Sequence, residues 1–276
     1  MKASIGGYAR ARSIEHALSL FAEADGAGRY LAGGQSLVAA LNLGASAGDM
    51  LVDISGIEAL RGVRIEGDRL VIGALTRHSE IERNDLVARH VPLLAKAAPL
   101  IAHDAIRNRG TIGGSLSHAD PAAEYPACAV ALDAIFNLEG PNGRRDVAAS
   151  EFFKGLFETD RAEDEILTAV SVPVAQAGER HAILELTRRS GDYALAGLAI
   201  VVRGDRHRIG AFGLGDRPLL CEGAMAALDR GDVDAAATAI ADDVDPMSDI
   251  QASADYRRHL AGVVLRRLAA ELGVAR

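Results

Sequence analysis

The sequence predicts an α+β protein of more than one domain, and three observations carry that expectation. Its 276 residues are enough for two or three compact units. Short β-prone runs bounded by Gly, Asn and Asp mix with amphipathic helical runs, without the strict alternation of a parallel α/β fold. Towards the C-terminus three strand-like runs come in succession and give way to a helical tail.

Ser13 is a suitable helix cap, and Ile14, Ala17, Leu18 and Phe21 follow at the spacing of one buried helical face. Arg29 to Ala32 reads as a strand running into Gly33-Gly34-Gln35-Ser36, with a short helix from Leu37 and another strand at Leu51 to Ile54. Val63 to Glu66 and Arg69 to Gly73 form a hairpin about Gly67-Asp68. Helical stretches are expected over Ser79 to Asn84 and over Pro92 to Ala102, with Pro92 in the first turn.

The loop Ile106 to Gly110 leads into a second glycine turn, Thr111-Ile112-Gly113-Gly114-Ser115. Asp120 is then expected to cap a helix with Pro121 at its first position and an apolar run through Leu132. Ile135 to Glu139 and Arg144 to Val147 bracket a hairpin turn, and Ile166 to Val172 is a strand stopped by Pro173. A shift to small and polar residues at Ala175 to Glu179 marks a domain boundary. Beyond it lie three antiparallel strands, Ala182 to Arg188, Leu195 to Arg203 and Arg208 to Leu214. Ser253 caps the last helix, whose stripe is Leu260, Val264, Leu268 and Leu272.

Composition narrows the function. A net charge of −8 and the absence of any sustained basic block argue against broad nucleic-acid binding. The apolar stretch Ala194 to Val202 is too short to span a bilayer, and the first residues lack the apolar core of a signal peptide, so a cytoplasmic protein is expected. Cys128 and Cys221 are too few to hold an iron–sulfur cluster. The eight histidines show no metal-ligand spacing, so no metal site is expected.

The two glycine pairs are the chemical signal. Each lies beside apolar residues and ends in a small hydroxyl residue. Without a Cβ, glycine lets backbone N–H groups converge on one point, and such a nest suits an anion such as a pyrophosphate. Neither turn is a Walker A or a GxGxxG fingerprint. On spacing alone, the pair points to a dinucleotide held by two loops outside the usual nucleotide folds.

The ordered set AGGQSL, LVDI, IGALTRHSEIE, IRNRGTIGGSLSHADPAAEYPA, EILTAVSVP and RRSGDYALAG resembles the flavin subunit of the carbon monoxide dehydrogenase and xanthine dehydrogenase family. The resemblance runs from about residue 5 to the C-terminal helix. It implies a p-cresol-methylhydroxylase-type FAD-binding fold of two α+β subdomains, residues 1–57 and 58–176. A C-terminal flavoprotein domain, residues 177–276, completes it with a three-stranded antiparallel sheet and helices.

By that resemblance, Ala32, Gly33, Gly34, Gln35 and Ser36, with Thr111, Ile112, Gly113, Gly114 and Ser115, hold the FAD pyrophosphate and ribityl chain through backbone N–H and hydroxyl groups. Ile101, Ala102 and Leu167 match apolar cofactor contacts. Glu124 matches an acidic contact at the adenosine end, Asp120 stands as a further cofactor position besides its capping role, and Tyr193 matches an aromatic position near the isoalloxazine. The chain departs from relatives at Val38 to Gly44, where a Pro and a basic residue are common, and at Glu185, where some have Lys.

The implied function is that of an electron-transfer subunit with no general acid or base of its own. A small 2Fe–2S subunit and a large molybdenum subunit carrying the molybdopterin cofactor are the expected partners. Substrate is then oxidised on the large one, and electrons leave from FAD to an external acceptor. A stand-alone flavin oxidoreductase of the same fold and a non-catalytic assembly subunit are the alternatives.

Overall fold

The computed structural model describes residues 5–44 and 48–274. Its first layer is a three-stranded parallel sheet in the order Gly7–Arg10, Met50–Asp53, Gly28–Leu31. Parallel neighbours require crossovers, and the helices Ile14–Glu23 and Leu37–Asn42 lie in the connections. The expected cap is present, with Ser13 Oγ accepting from the His16 N–H at 3.1 Å. The strand Gly7–Arg10 was not foreseen, because four residues of alternating exposure become a strand only through pairing with the distant segment at 50–53.

The second sheet has five strands, all antiparallel to their neighbours, in the order Val63–Glu66, Arg69–Gly73, Ile166–Pro173, Ile135–Gly140, Gly143–Ala148. Both expected hairpins are present. Against this sheet pack short helices, Asp85–His90 and Pro92–Ala97 among them. The stretch expected as helix to Ala102 is broken after Ala97 into a 3-10 turn at Ala98–Leu100, where Pro99 cannot donate its hydrogen bond.

The third sheet differs from expectation by one strand. Arg180–Leu186, Ala196–Arg203 and Arg206–Phe212 are joined at the edge by the two-residue strand Leu219–Leu220, giving four. Its one face is covered by helices Glu222–Leu228, Val233–Asp243 and Ala254–Glu271, with Leu260, Val264, Leu268 and Leu272 all buried as the stripe required. The opposite face rests on helix Glu124–Ala131, which is apolar all round because it is enclosed all round. The approach is so close that a Cβ on Gly210 would stand 3.0 Å from the carbonyl carbon of Ala127.

Candidate functional site

The first glycine turn is open. Leu31 ends its strand, and Gly34 takes a φ of 73°, a left-handed conformation that glycine adopts without penalty. Among the described residues, the N–H groups of Gly33, Gly34, Gln35 and Ser36 donate to no protein acceptor. The Gln35 side chain instead caps the Gly33 carbonyl at 3.2 Å. Ala32 turns its side chain into the core of the first sheet. Four consecutive unspent donors are the anion nest the sequence suggested.

Gly33 also sets the position of the nest. A Cβ there would stand 2.9 Å from the Gly110 Cα and 3.0 Å from the Arg109 carbonyl carbon. The AGGQS turn therefore lies directly against the loop that leads into the second glycine motif.

That second motif is no turn, which corrects the expectation. Thr111 is the cap of a helix, Ile112–His118, and Gly113 and Gly114 sit in its first turn. Thr111 Oγ1 accepts from Gly114 N at 3.1 Å, Ile112 N donates to Thr76 O, Gly113 N to Ala74 O, and Ser115 N to Thr111 O. With these donors satisfied, Ile112 to Ser115 offer no backbone nest. Gly113 is there for packing, since a Cβ would stand 2.9 Å from the Ala74 Cα. Of this motif the half-buried Ser115 is the hydroxyl residue with access to a ligand, while Thr111 and Ile112 are buried.

The Asp120 cap is likewise corrected. Its Oδ1 accepts from Ala122 N at 2.9 Å in a local turn, and the helix begins at Glu124, capped by the Ala123 backbone alone. Pro121 lies outside the helix, and its carbonyl accepts from Gly213 N at 2.8 Å, tying this turn to the third sheet.

Two carboxyls meet where that helix starts. Burial pushes the Glu124 carboxyl up to about 8, and the nearby Glu185 and Asp120 charges add to the rise. Burial alone lifts Glu185 to about 7, and its Oε2 is enclosed without a hydrogen-bond partner. Glu185, known from the sequence only as a departure from relatives, is thus an unsatisfied acceptor beside Glu124.

Tyr193 is 66% exposed and lines a cavity of about 880 Å³ together with Asp120, Arg188, Arg189 and Arg257. Ala102 has a φ of 44° and lies against Gly191 at the edge of this cavity. A Cβ on Gly191, two residues before Tyr193, would stand 3.0 Å from the Ala102 carbonyl oxygen. Ile101 packs on the large core, and its carbonyl accepts from Arg107. Leu167 is buried at 4% exposure in that core, next to a bulge in its strand.

The residues present fit an FAD. The open nest suits a pyrophosphate, partly buried carboxyls can accept from ribose hydroxyls, and an exposed aromatic ring borders a large cavity. Arg107, which donates to the Ile101 and Ala102 carbonyls, and Ala74, which lies under Gly113, were missed. Arg107 lies in the run IRNRGTIGGS, but nothing local reveals its partners.

Comparison with known proteins identifies the family. The family described as the FAD binding domain in molybdopterin dehydrogenase matches residues 3–175, and the CO dehydrogenase flavoprotein C-terminal domain matches residues 181–272. The carbon monoxide dehydrogenase medium chain of Hydrogenophaga pseudoflava is 37% identical over 94% of each chain. A 6-hydroxypseudooxynicotine dehydrogenase complex subunit alpha from Paenarthrobacter nicotinovorans is 38% identical over 96% of this chain and 93% of its own. A solved carbon monoxide dehydrogenase from Hydrogenophaga pseudoflava superposes over the whole of both chains with a TM-score of 0.95 at 37% identity. Quinoline 2-oxidoreductase from Pseudomonas putida 86 gives 0.92 at 32% identity, covering 99% of this chain and 98% of that one. The chain belongs to the FAD-binding medium subunits of the molybdenum hydroxylases and is an oxidoreductase subunit of the carbon monoxide and xanthine dehydrogenase type.

Proposed function

We propose that this chain is the electron-transfer subunit of a heterotrimer. It receives electrons from the 2Fe–2S clusters of a small subunit, with substrate oxidised at the molybdenum cofactor of a large subunit, and passes them to an external acceptor. Bound FAD supplies a carrier able to exchange electrons with both one-electron and two-electron partners.

The observation that carries this reading is the open nest of Gly33 to Ser36, set against the Gly110 loop. Gly33, Gly34, Gln35 and Ser36 hold the pyrophosphate by backbone donation, and Ser115 adds a hydroxyl. Thr111, Ile112, Gly113 and Gly114 act from behind, by fixing the helix that carries Ser115. Asp120, which shares the Tyr193 cavity, serves the flavin end with it, and Glu124 and Glu185 offer acceptors to the cofactor's hydroxyl groups. Ile101 and Ala102 border the cofactor, Leu167 backs it from the core, and Tyr193 stands at the flavin ring.

No residue here is assigned acid–base chemistry, and the protein's part is to bind and orient. The same reading divides the chain at 57/58 and 176/177, supported by one principal sheet in each range. A reducing, cytoplasmic setting accords with two buried free thiols.

One observation favours a rival. A carboxyl raised to about 8 beside the cofactor site is the kind of group a stand-alone flavin oxidoreductase uses as a base. Visible absorption separates the two readings. Anaerobic substrate bleaches the flavin of the assembled complex and leaves the isolated FAD-loaded chain oxidised. Bleaching of the isolated chain at a comparable rate overturns the electron-transfer reading.

A further inference from the structure

One side chain in the described residues joins four segments around the proposed flavin site. Arg107 ends the short helix Asp104–Arg107, and its side chain is only 12% exposed. Its Nη1 donates to three carbonyls, Pro99 O at 3.3 Å, Ile101 O at 3.1 Å and Ala102 O at 3.4 Å. Nε donates to Glu82 Oε2 at 3.1 Å, and Nη2 pairs with Asp104. The guanidinium thus spans the helix His78–Glu82, the 3-10 turn Ala98–Leu100, the loop at 101–102 and its own helix.

What it grips is a strained piece of backbone. Ala102 has a φ of 44°, which a residue with a Cβ adopts only when its surroundings impose it. The same Ala102 carbonyl is the surface on which Gly191 rests, at a φ of 84° and close enough that a Cβ would stand 3.0 Å from its oxygen. Releasing Ala102 therefore frees both the loop that borders the cofactor and the Gly191–Tyr193 segment across from it.

We propose that Arg107 is a positioning residue for the flavin site, holding Ile101 and Ala102 in the conformation that seats the Tyr193 loop without itself touching the cofactor. The inference rests on the FAD reading given above. A lysine cannot substitute, because a compact ammonium lacks the planar fork that reaches three carbonyls and a carboxylate at once.

Two variants of the chain separate this role from a simple ion pair. Arg107→Lys keeps the charge beside Glu82 and loses the fork, while Glu82→Gln removes the pair's charge and keeps the fork. Each FAD-stripped protein is titrated with FAD by fluorescence quenching, its apo form is melted, and the visible circular dichroism of the bound flavin is recorded. Arg107→Lys is expected to weaken FAD binding by about tenfold or more, the scale of one charge-assisted hydrogen bond. It is also expected to alter the flavin dichroism, and Glu82→Gln to stay near wild type in both.

Arg107→Ala supplies a second arm, in which millimolar guanidinium restores FAD affinity and urea at the same concentration does not. Wild-type affinity and dichroism in Arg107→Lys would overturn the proposal. So would losses in both variants that merely track their melting temperatures. A wild-type chain that takes up no FAD would instead overturn the cofactor reading on which the proposal stands.

Discussion

Replacing Gly33 by alanine adds one methyl group at the junction of the two loops. The new carbon would stand 2.9 Å from the Gly110 Cα and 3.0 Å from the Arg109 carbonyl carbon. Comfortable carbon–carbon separations are about 3.5–4.0 Å, so the loops must part by roughly 1 Å. Gly33, unlike Gly34, does not need a left-handed backbone, so the whole effect comes from crowding. Overpacking of this kind costs about 1–3 kcal/mol. Where that strain is relieved by moving the nest, FAD affinity falls by about tenfold to a hundredfold at 1.4 kcal/mol per decade. Fluorescence titration of the FAD-stripped chain measures it, with the 450 nm to 280 nm absorbance ratio after gel filtration as a check. Gly33→Ala with wild-type affinity and an unchanged melting temperature would refute the reasoning, since the loops could not then be in contact.

Gly113→Ala should act on the fold more than on the ligand: its Cβ meets Ala74, and the apo form should lose about 1–3 kcal/mol in urea unfolding. Gly210→Ala should separate the third sheet from helix Glu124–Ala131 and lower the melting temperature. A melt superimposable on wild type would contradict the close packing against Ala127. The raised Glu124 and Glu185 carboxyls make the apo form depend on pH. The folded chain holds protons there that the unfolded chain releases near the ordinary value of 4.5, so this contribution is complete below that pH. It is lost as pH climbs through about 7 and about 8. Glu124→Gln should flatten the decline of the urea midpoint over that window, and an unaltered slope would place the titrating group elsewhere.

Much of the fold was legible because its signals are local. Ser13 and Ser253 have hydroxyls one turn from the N–H groups they cap, and both caps form. The hairpin at Gly67-Asp68 closes over neighbouring residues, and the stripe ending at Leu272 needs only helical periodicity. Asp120 misled for a related reason. Its carboxylate does make a local bond, to Ala122 N, but the bond serves a turn and the helix starts four residues after it. Thr111-Ile112-Gly113-Gly114 read as a turn because glycine is poor in helices. Contacts with Thr76 and Ala74, more than thirty residues upstream, hold it as helix instead.

The sequence by itself determined the α+β class, the elements with local caps and turns, and the positions of the two glycine motifs. Tertiary structure alone decided which of those glycines keeps its donors. Gly33 and its neighbours follow a strand with no acceptor for their N–H groups among the described residues, while the N–H groups of Ile112 to Ser115 are consumed by protein oxygens. It alone decided, too, that Arg107 reaches five acceptors and that Glu185 lies near enough to Glu124 to raise it. The reason is physical: a cap or a turn is completed within a few residues. The availability of a donor and the desolvation of a carboxyl depend on atoms brought near from elsewhere in the chain.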